Sequence, residues 1–169
     1  MRTKRTKRAR RPRAPTGVAD DARGGARATL AVQYAAPRAG LPARASVATW
    51  LAQALPGRRT RITVRFVGGA EARRLNRDYR GRDYATNVLT FAYGGPGLAG
   101  DIVLCAPVIA RESRERALPV RAHFAHLVVH GALHLAGHDH ERGRDAAIME
   151  AAERRILARL GFGDPYRSR

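Results

Sequence analysis

The sequence predicts an α+β (mixed α/β) domain, in which a small mixed four-stranded sheet, mostly parallel with one antiparallel strand, is covered by about five helices. Two observations support this fold class. Segments with strand and helix periodicity follow in the order strand, helix, strand, helix, two strands and then helices. A chain of 169 residues that is 44% hydrophobic is also long enough for one hydrophobic core. We therefore expect helices mainly on one side of the sheet, with no repeat and no second domain.

The first half of the predicted domain alternates between strands and helices. Residues 28–34 and 61–67 alternate apolar with small or polar side chains, as half-buried strands do. Between them, Pro42 is suited to the first turn of a helix over 42–55. The apolar face of that helix consists of Val47, Trp50, Leu51 and Ala54. A short helix over 70–79 follows the second strand.

The second half contains two consecutive strands and then helices. The strands are predicted over 87–92 and 101–105, with a flexible glycine-rich loop at 94–97 between them. Three helical segments follow, at 107–117, 120–136 and 142–160. The closing Asp164-Pro165-Tyr166 predicts a turn at which the C-terminus docks on the domain.

Residues 1–26 predict a disordered basic tail that precedes a single domain over 27–169. The tail is mostly Arg, Lys, Thr, Pro, Gly and Ala, so it has almost nothing to bury. No apolar segment of a secretory signal follows its charges, and no apolar run approaches the ~18 residues of a membrane span. The single cysteine, Cys105, excludes an internal disulfide, so a reducing cytoplasm is the expected location.

The formal net charge of +18 predicts a polyanionic partner such as nucleic acid. All but two of the 32 basic residues are arginines, which is typical of a GC-rich genome. Codon bias explains arginine in place of lysine but leaves the excess over 14 acidic residues unexplained, and compositional drift is the alternative. Because only 6% of the residues are aromatic, no base-stacking platform is evident, so backbone charge and shape would recognise RNA.

All six histidines lie between residues 123 and 140. His130 and His134 are four residues apart in a predicted helix, which places both imidazoles on one face about one turn apart. Gly137 is expected to end the helix, so that His140 can turn back towards the pair. Three histidine nitrogens with an open fourth position are the pattern of a catalytic zinc site, whereas one cysteine rules out a closed thiolate site.

The other histidines are less suited to share a metal ion with the pair. His123 lies ~10 Å along the helix from the pair, too far to share a metal ion. His126 is one turn before the pair and would be a ligand only if His140 were not. His138 would be in register only if the helix continued through Gly137. The preferred set is thus the pair with His140, and the second choice replaces His140 by His138.

Zinc proteases with the motif H-E-x-x-H place a glutamate directly after the first histidine as the general base. Here that position is Gly131. A protease interpretation therefore lacks its base at the required place.

A second dense group of polar residues occupies 75–91, where function often lies between helix, loop and strand. Arg80, next to a glycine, can offer a bidentate fork to a phosphate. The alternative is that Arg80 pairs with Asp78 or Asp83. Asn87 is equally suited to a turn or cap.

Two long motifs resemble a known family. The segment His130-Gly-Ala-Leu-His-Leu-Ala-Gly-His-Asp-His140 resembles the H-G-x-L-H-L-x-G-Y-D-H signature of the YbeY family, the metal-dependent endoribonucleases of bacterial rRNA maturation. Residues 75–91 resemble its L-N-x-x-Y-R-x-x-D-x-P-T-N-V-L-S-F segment, and Gly100-Asp101-Ile102 and Asp164-Pro165-Tyr166 match in order. The departures are His138 for Tyr, Ala85 for Pro and Thr90 for Ser.

The resemblance covers about 28–166 and implies a small mixed sheet with helices, a catalytic Arg80 and one zinc ion held by His130, His134 and His140. It also implies single-strand RNA cleavage, 16S rRNA 3′-end maturation and ribosome quality control. The expected partners are ribosomal RNA and the small ribosomal subunit, with neither a membrane nor a nucleotide cofactor. Supporting residues are expected to contact RNA at Arg77, Arg82 and Asn87, and to hold the metal ligands in place at Asp139 and His126.

The hypothesis is therefore a cytoplasmic zinc-dependent endoribonuclease that acts on ribosomal RNA. Two alternatives remain open. One is a metallohydrolase of another substrate, and the other is a non-catalytic RNA-binding factor of ribosome assembly in which zinc only stiffens the fold.

Overall fold

The computed structural model describes residues 28–95, 97–138 and 143–167, so the predicted basic tail lies outside the described residues. Four strands form where the alternation of apolar residues predicted them. They are β1 (Thr29–Tyr34), β2 (Thr60–Val67), β3 (Val88–Tyr93) and β4 (Leu98–Cys105). β4 begins three residues before its predicted start, because its first residues pair with the end of β3 and with β2.

Within the described ranges, five helices connect and follow the strands, each close to its predicted bounds. They are α1 (Arg44–Ala54), α2 (Gly69–Arg80), α3 (Ala106–Glu115), α4 (Val120–Leu135) and α5 (Gly143–Arg159). The four residues predicted for the apolar face of α1 are the four that it buries. No helix within the described ranges combines the length and the apolar character that crossing a membrane requires.

The strand order in the sheet is β1-β2-β4-β3. β2 pairs in parallel with β1 and with β4, whereas β3 and β4 are antiparallel. Each connection between parallel strands contains a helix, whereas the short loop between β3 and β4 permits only an antiparallel hairpin. The predicted mixed sheet with one antiparallel strand is therefore confirmed, and β3 is one of its edges.

Alternation along the strands gives the sheet two different faces. The larger core lies on the face that α1 and α4 cover, with Phe66, Ile102 and Leu104 fully buried against Phe124. Burial of each such side chain contributes about 1.5–3 kcal/mol. A smaller cluster on the opposite face packs against α2 and the start of α3, and it comprises Val67, Ala72, Leu89, Val103, Cys105 and Val108. Helices thus cover one face more fully than the other, as predicted.

Two glycines allow α4 to approach β4 very closely. A Cβ on Gly131 would lie 2.9 Å from the Ile102 Cγ2 atom, and a Cβ on Gly100 would lie 2.4 Å from both Leu135 Cδ2 and the Phe91 carbonyl oxygen. These contacts leave no space for a side chain. They fix the C-terminal end of α4, which carries the histidine pair, against the start of β4 and the neighbouring part of β3.

Candidate metal centre

His130 and His134 lie one turn apart on α4, as their spacing predicted. Their Nε2 atoms are 3.1 Å apart, and their ring centroids are 4.5 Å apart. Two imidazoles that direct Nε2 at one point are arranged to hold a cation or a proton between them. Two nitrogens on one tetrahedral zinc ion, each ~2.05 Å from it, would be ~3.3 Å apart, so the separation observed here fits such an ion.

Glu153 of α5 fixes the orientation of His130. Its Oε1 atom lies 2.8 Å from Nδ1 of His130, and the carboxylate has no solvent exposure. A carboxylate can only accept in this contact, so Nδ1 carries the proton and the lone pair is left on Nε2. Metal-binding histidines usually donate their second ring nitrogen in this way, which fixes the tautomer and makes the ligand more basic.

Two more donors satisfy the other oxygen of Glu153. His126 places Nε2 at 2.9 Å from Oε2, and the Tyr166 hydroxyl donates to the same atom. Burial raises the pKa of Glu153, but the hydrogen bonds from His126, His130 and Tyr166 outweigh it and bring the pKa to about 2. Glu153 is therefore an anion near neutral pH, and Tyr166 docks the C-terminal segment here, where the sequence predicted a docking point.

Sequence reasoning missed Glu153, which lies 23 residues from His130 on another helix. One signal was available. Glu153 occupies the apolar stripe of α5 formed with Met149, Ile156 and Leu157, all of which are buried. A charged residue in the middle of such a stripe needs a buried partner, and the unassigned histidines were the candidates.

Within the described residues, His126, His130 and Glu153 also form a group whose ligand atoms lie within 4.8 Å of one another and could hold a metal ion. His130 belongs to both this group and the His130–His134 pair. The contacts of Glu153 at 2.8 and 2.9 Å are ordinary N–H···O hydrogen bonds that need no cation. The pair and this group are therefore alternative places for one ion, and His130 would be a ligand in either.

The other predicted ligands depend on the chain after α4. Gly137 has φ +92°, and the His138 amide donates to the Leu133 carbonyl, so the helix ends before His138 as predicted. The straight helix that His138 would need as a ligand is therefore excluded. His140 and Asp139 lie outside the described residues.

His123 and Asn87 meet at Glu112 on α3. His123 is 2% exposed and places Nε2 at 2.8 Å from Glu112 Oε2, to which the Asn87 side-chain amide donates at 3.0 Å. Burial lowers the pKa of His123, and Glu112 opposes this. Asn87 thus joins the start of β3 to α3 and, through Glu112, to α4, so its amide donates within the fold rather than in a local turn or cap.

Arg80 ends α2, and Gly81 closes the helix with φ +68°. Asp83 forms a bidentate pair with Arg73, with contacts of 2.7 and 2.8 Å, and Asp78 contacts Arg77 at 3.2 Å. Neither carboxylate pairs with Arg80, so the structural alternative for this arginine is not supported. Its exposed guanidinium has no carboxylate partner among the residues that the structure describes.

The remaining RNA-contact candidates lie beside Arg80. Arg77 is exposed and its guanidinium forms an ion pair with Asp78. Arg82 donates to the Tyr84 hydroxyl at 3.2 Å. Neither arginine is buried in the fold, so both can still reach a phosphate.

The two groups of candidate residues lie at one end of the sheet, on opposite faces of the edge strand. On one face, Leu135, next to His134, contacts Gly100, which is paired with Ala92. On the other face, Tyr79, next to Arg80, packs against the Phe91 ring at 5.0 Å. The edge strand β3 therefore lies between the two groups.

Comparison with known proteins identifies the family. A family model described as "Endoribonuclease YbeY" matches residues 42–161. Proteins of that name are similar to this chain in Aromatoleum aromaticum (54% identity, 88% of this chain and 98% of that protein) and in Stenotrophomonas maltophilia (50%, 85% and 96%). Another, in Alkalilimnicola ehrlichii, is 55% identical and covers 82% of this chain and 90% of that protein.

A solved structure shows the same fold. The solution structure of TM1509 from Thermotoga maritima aligns with a TM-score of 0.52 at 21% identity, over 82% of this chain and 99% of that one. At this identity the likeness concerns the fold alone. The family match and the close relatives confirm the family that the histidine motif and the 75–91 motif indicated: the chain belongs to the endoribonuclease YbeY family.

Proposed function

We propose that this protein is a zinc-dependent, single-strand-specific endoribonuclease that acts in 16S rRNA 3′-end maturation and ribosome quality control in the cytoplasm. The observation that carries the proposal is the His130–His134 pair, whose Nε2 atoms converge to 3.1 Å while Glu153 holds His130 in the tautomer of a ligand. Family membership supports RNA as the substrate.

The proposed ligands of one zinc ion are His130, His134 and His140. The first two have the geometry described above, and His140 follows three residues after Gly137, whose positive φ marks the end of the helix. Zinc bound by three neutral imidazoles supplies Lewis acidity, which polarises a phosphoryl oxygen and lowers the pKa of a water ligand. His126 contacts Glu153 rather than the converging Nε2 atoms, so we assign it, with Asp139, a supporting role.

Arg80 would bind the scissile phosphate through its guanidinium fork and stabilise the charge that develops on it. Its exposure and its lack of a carboxylate partner in the described chain support this role. Arg77 and Arg82 would contact neighbouring phosphates. For Asn87 we propose a positioning role, because its amide nitrogen donates to Glu112.

The net charge of +18 supports a large polyanionic partner such as ribosomal RNA within the small subunit. Gly131 argues against the peptide-hydrolase alternative. A glutamate at that position would be directed into Ile102 on β4, so the fold itself has no room there for the general base of a zinc protease.

The proposal is tested with metal-replete protein and single-stranded 16S rRNA 3′-end fragments. We expect the wild type to cleave them and to spare the same sequence in a duplex. His134→Ala should lose zinc and activity, whereas Arg80→Ala should keep zinc and RNA binding but lose about 100-fold or more in cleavage rate. Arg155→Ala, an exposed arginine on α5, is the matched control and should cleave normally.

Each alternative predicts a different result. Wild type that binds RNA but cuts no strand with any divalent metal would establish the binding-factor alternative. Cleavage by Arg80→Ala at the wild-type rate would remove Arg80 from the mechanism. Zinc content separates the ligand sets, since replacing His140 by alanine should empty the site and replacing His138 should not.

A further inference from the structure

Aromatic side chains are few in this sequence, yet the fold gathers three of them on the sheet face opposite α4. Tyr79 and Tyr93 are 48% and 49% exposed, and Phe91 lies between them, partly buried. The expectation that the chain offers no base-stacking platform therefore has to be revised. Low aromatic content does not prevent a local cluster when strand alternation and a helix end bring the rings together.

The register of the sheet defines the surroundings of Tyr93. Tyr93 pairs with Ala99 of β4, and Ala99 pairs with Arg61 of β2, so the three residues form one row on the same face. Arg61 is exposed, and the alanine between it and Tyr93 is small. The row thus places an aromatic ring on the edge strand β3 and a cation on β2, two strands away and about 10 Å apart, with the small side chain of Ala99 between them.

The rings of this cluster are held in place. The Tyr93 hydroxyl donates to Asp101, the residue paired with Phe91 in the adjacent row. The ring of Tyr79 packs edge-on against Phe91, at 5.0 Å between centroids and 68° between planes. A rigid aromatic side chain loses little conformational entropy when a base stacks on it, whereas a freely rotating one loses more.

The aromatic cluster lies next to Arg80, and the strand that carries it also contacts α4. Tyr79 directly precedes Arg80, and the backbone carbonyl of Phe91 lies against Gly100, as does the Leu135 side chain at the end of α4. A strand of RNA whose phosphate is bound by Arg80 would therefore have its next nucleotides over Tyr79, Phe91 and Tyr93.

We propose that Tyr79, Phe91 and Tyr93 form a base-stacking surface for the unpaired nucleotides that flank the cleaved phosphate, and that Arg61 contacts the backbone of the same strand. This rests on the proposed function. Single-stranded RNA fits better than a protein partner, because the cluster is small and arginines adjoin it at positions 61, 77 and 80. Alternating rings and cations are what an unpaired strand requires, since every base has a π-face and every linkage a charge.

The test compares leucine with phenylalanine at the two exposed tyrosines. Affinity for a fluorescently labelled single-stranded RNA decamer is measured by anisotropy, and cleavage of the same strand is followed in parallel. Tyr79→Leu and Tyr93→Leu should each weaken binding about ten-fold and raise KM while leaving kcat nearly unchanged. Tyr79→Phe keeps the ring and should bind nearly as wild type. Tyr93→Phe also keeps the ring but loses its hydrogen bond to Asp101, so its affinity should lie between those of wild type and Tyr93→Leu.

A decamer with abasic sites beside the scissile phosphate makes the test specific for stacking. Wild type should bind the abasic decamer more weakly than the intact one. Tyr93→Leu should bind the two decamers with nearly equal affinity, because the leucine has already removed the stacking contact that the missing base would make. Binding of duplex RNA should not distinguish the variants.

Two outcomes would overturn the proposal: leucine variants that bind the decamer as wild type does, or phenylalanine variants that are as weak as the leucine ones. The first outcome would favour a protein partner for the cluster instead of RNA. Because binding and cleavage are measured separately, failure of the proposed function is distinguishable. Wild type that never cleaves would contradict the endoribonuclease activity, while loss of affinity in the leucine variants would still support stacking.

Discussion

At the scale of single residues, a carboxylate without solvent exposure stays ionised only if donors replace the water that it has lost. Glu153 has three such donors, two histidine rings and the Tyr166 hydroxyl. The negative charge in turn selects the Nδ1-protonated tautomer of His130. The ligand strength of His130 therefore depends on a residue that does not need to touch the metal.

Glu153→Gln should reduce zinc affinity about 10- to 100-fold, because an amide removes the charge and offers one acceptor atom to three donors. Tyr166→Phe removes only one donor, so a smaller loss is expected. Zinc affinity is measured by competition with a chromophoric chelator, and circular dichroism checks the fold. Unchanged affinity in Glu153→Gln would contradict the orienting role.

Zinc affinity also distinguishes the two possible sets of metal ligands. If the His130–His134 pair holds the ion, His134→Ala should empty the site and His126→Ala should only weaken it. If His126, His130 and Glu153 hold the ion instead, the order of these two variants is reversed.

At the scale of elements, the position of α4 is set by glycines as much as by its apolar residues. Gly131 faces Ile102, which is fully buried in the centre of the sheet. Because a packed core resists added volume, a methyl group there must displace either the helix or the strand. Displacement of α4 moves both histidines of the pair.

Gly131→Ala should lower the free energy of unfolding by about 1–3 kcal/mol, since its Cβ would lie 2.9 Å from a side chain with no space to move. Urea denaturation measures the change. Gly69→Ala, at the start of α2, is the matched control, because its Cβ would meet only Pro107 Cγ at 3.9 Å. A Gly131→Ala protein as stable as Gly69→Ala would show that the α4–β4 contact is not close-packed.

At the scale of the whole molecule, features that depend on residues close in sequence could be predicted, and contacts between residues far apart in sequence could not. Strand alternation, the apolar face of α1, the His130–His134 spacing and the end of α4 at Gly137 all depend on neighbours within a few residues. The partners of Glu153 and the row that joins Arg61 to Tyr93 depend on how distant segments pack. The periodicity of α5 indicates that Glu153 is buried but does not say which side chains it contacts, and no periodicity encodes the aromatic cluster.

Stability against pH also belongs to the whole molecule, and His123 and Glu153 act on it in different windows. Burial lowers the pKa of His123 in the folded protein below its ordinary value of about 6.5. As pH falls below that value, the unfolded chain binds a proton that the folded chain does not, so the free energy of unfolding decreases. The folded pKa of Glu153, about 2, is lower than the ordinary 4.5 of its carboxyl, so its contribution is complete above pH 4.5 and lost only towards pH 2.

His123→Gln should remove the loss of stability below pH 6.5 that His123 causes and leave the loss towards pH 2 that Glu153 causes. The difference in unfolding free energy between wild type and His123→Gln, measured with urea at fixed zinc, should be constant above about pH 7 and should shrink as the pH is lowered from 6.5 towards 5. Each unit by which the pKa is lowered contributes about 1.4 kcal/mol to this change. Taking the difference cancels the pH dependence of metal binding at His130 and His134, which both proteins share.

In Glu112→Gln, which removes the anion that raises the pKa of His123, the decrease in unfolding free energy should extend to lower pH. A difference that stays constant from pH 8 to pH 5 would mean that His123 binds its proton equally well in the folded and unfolded chains, in spite of its burial.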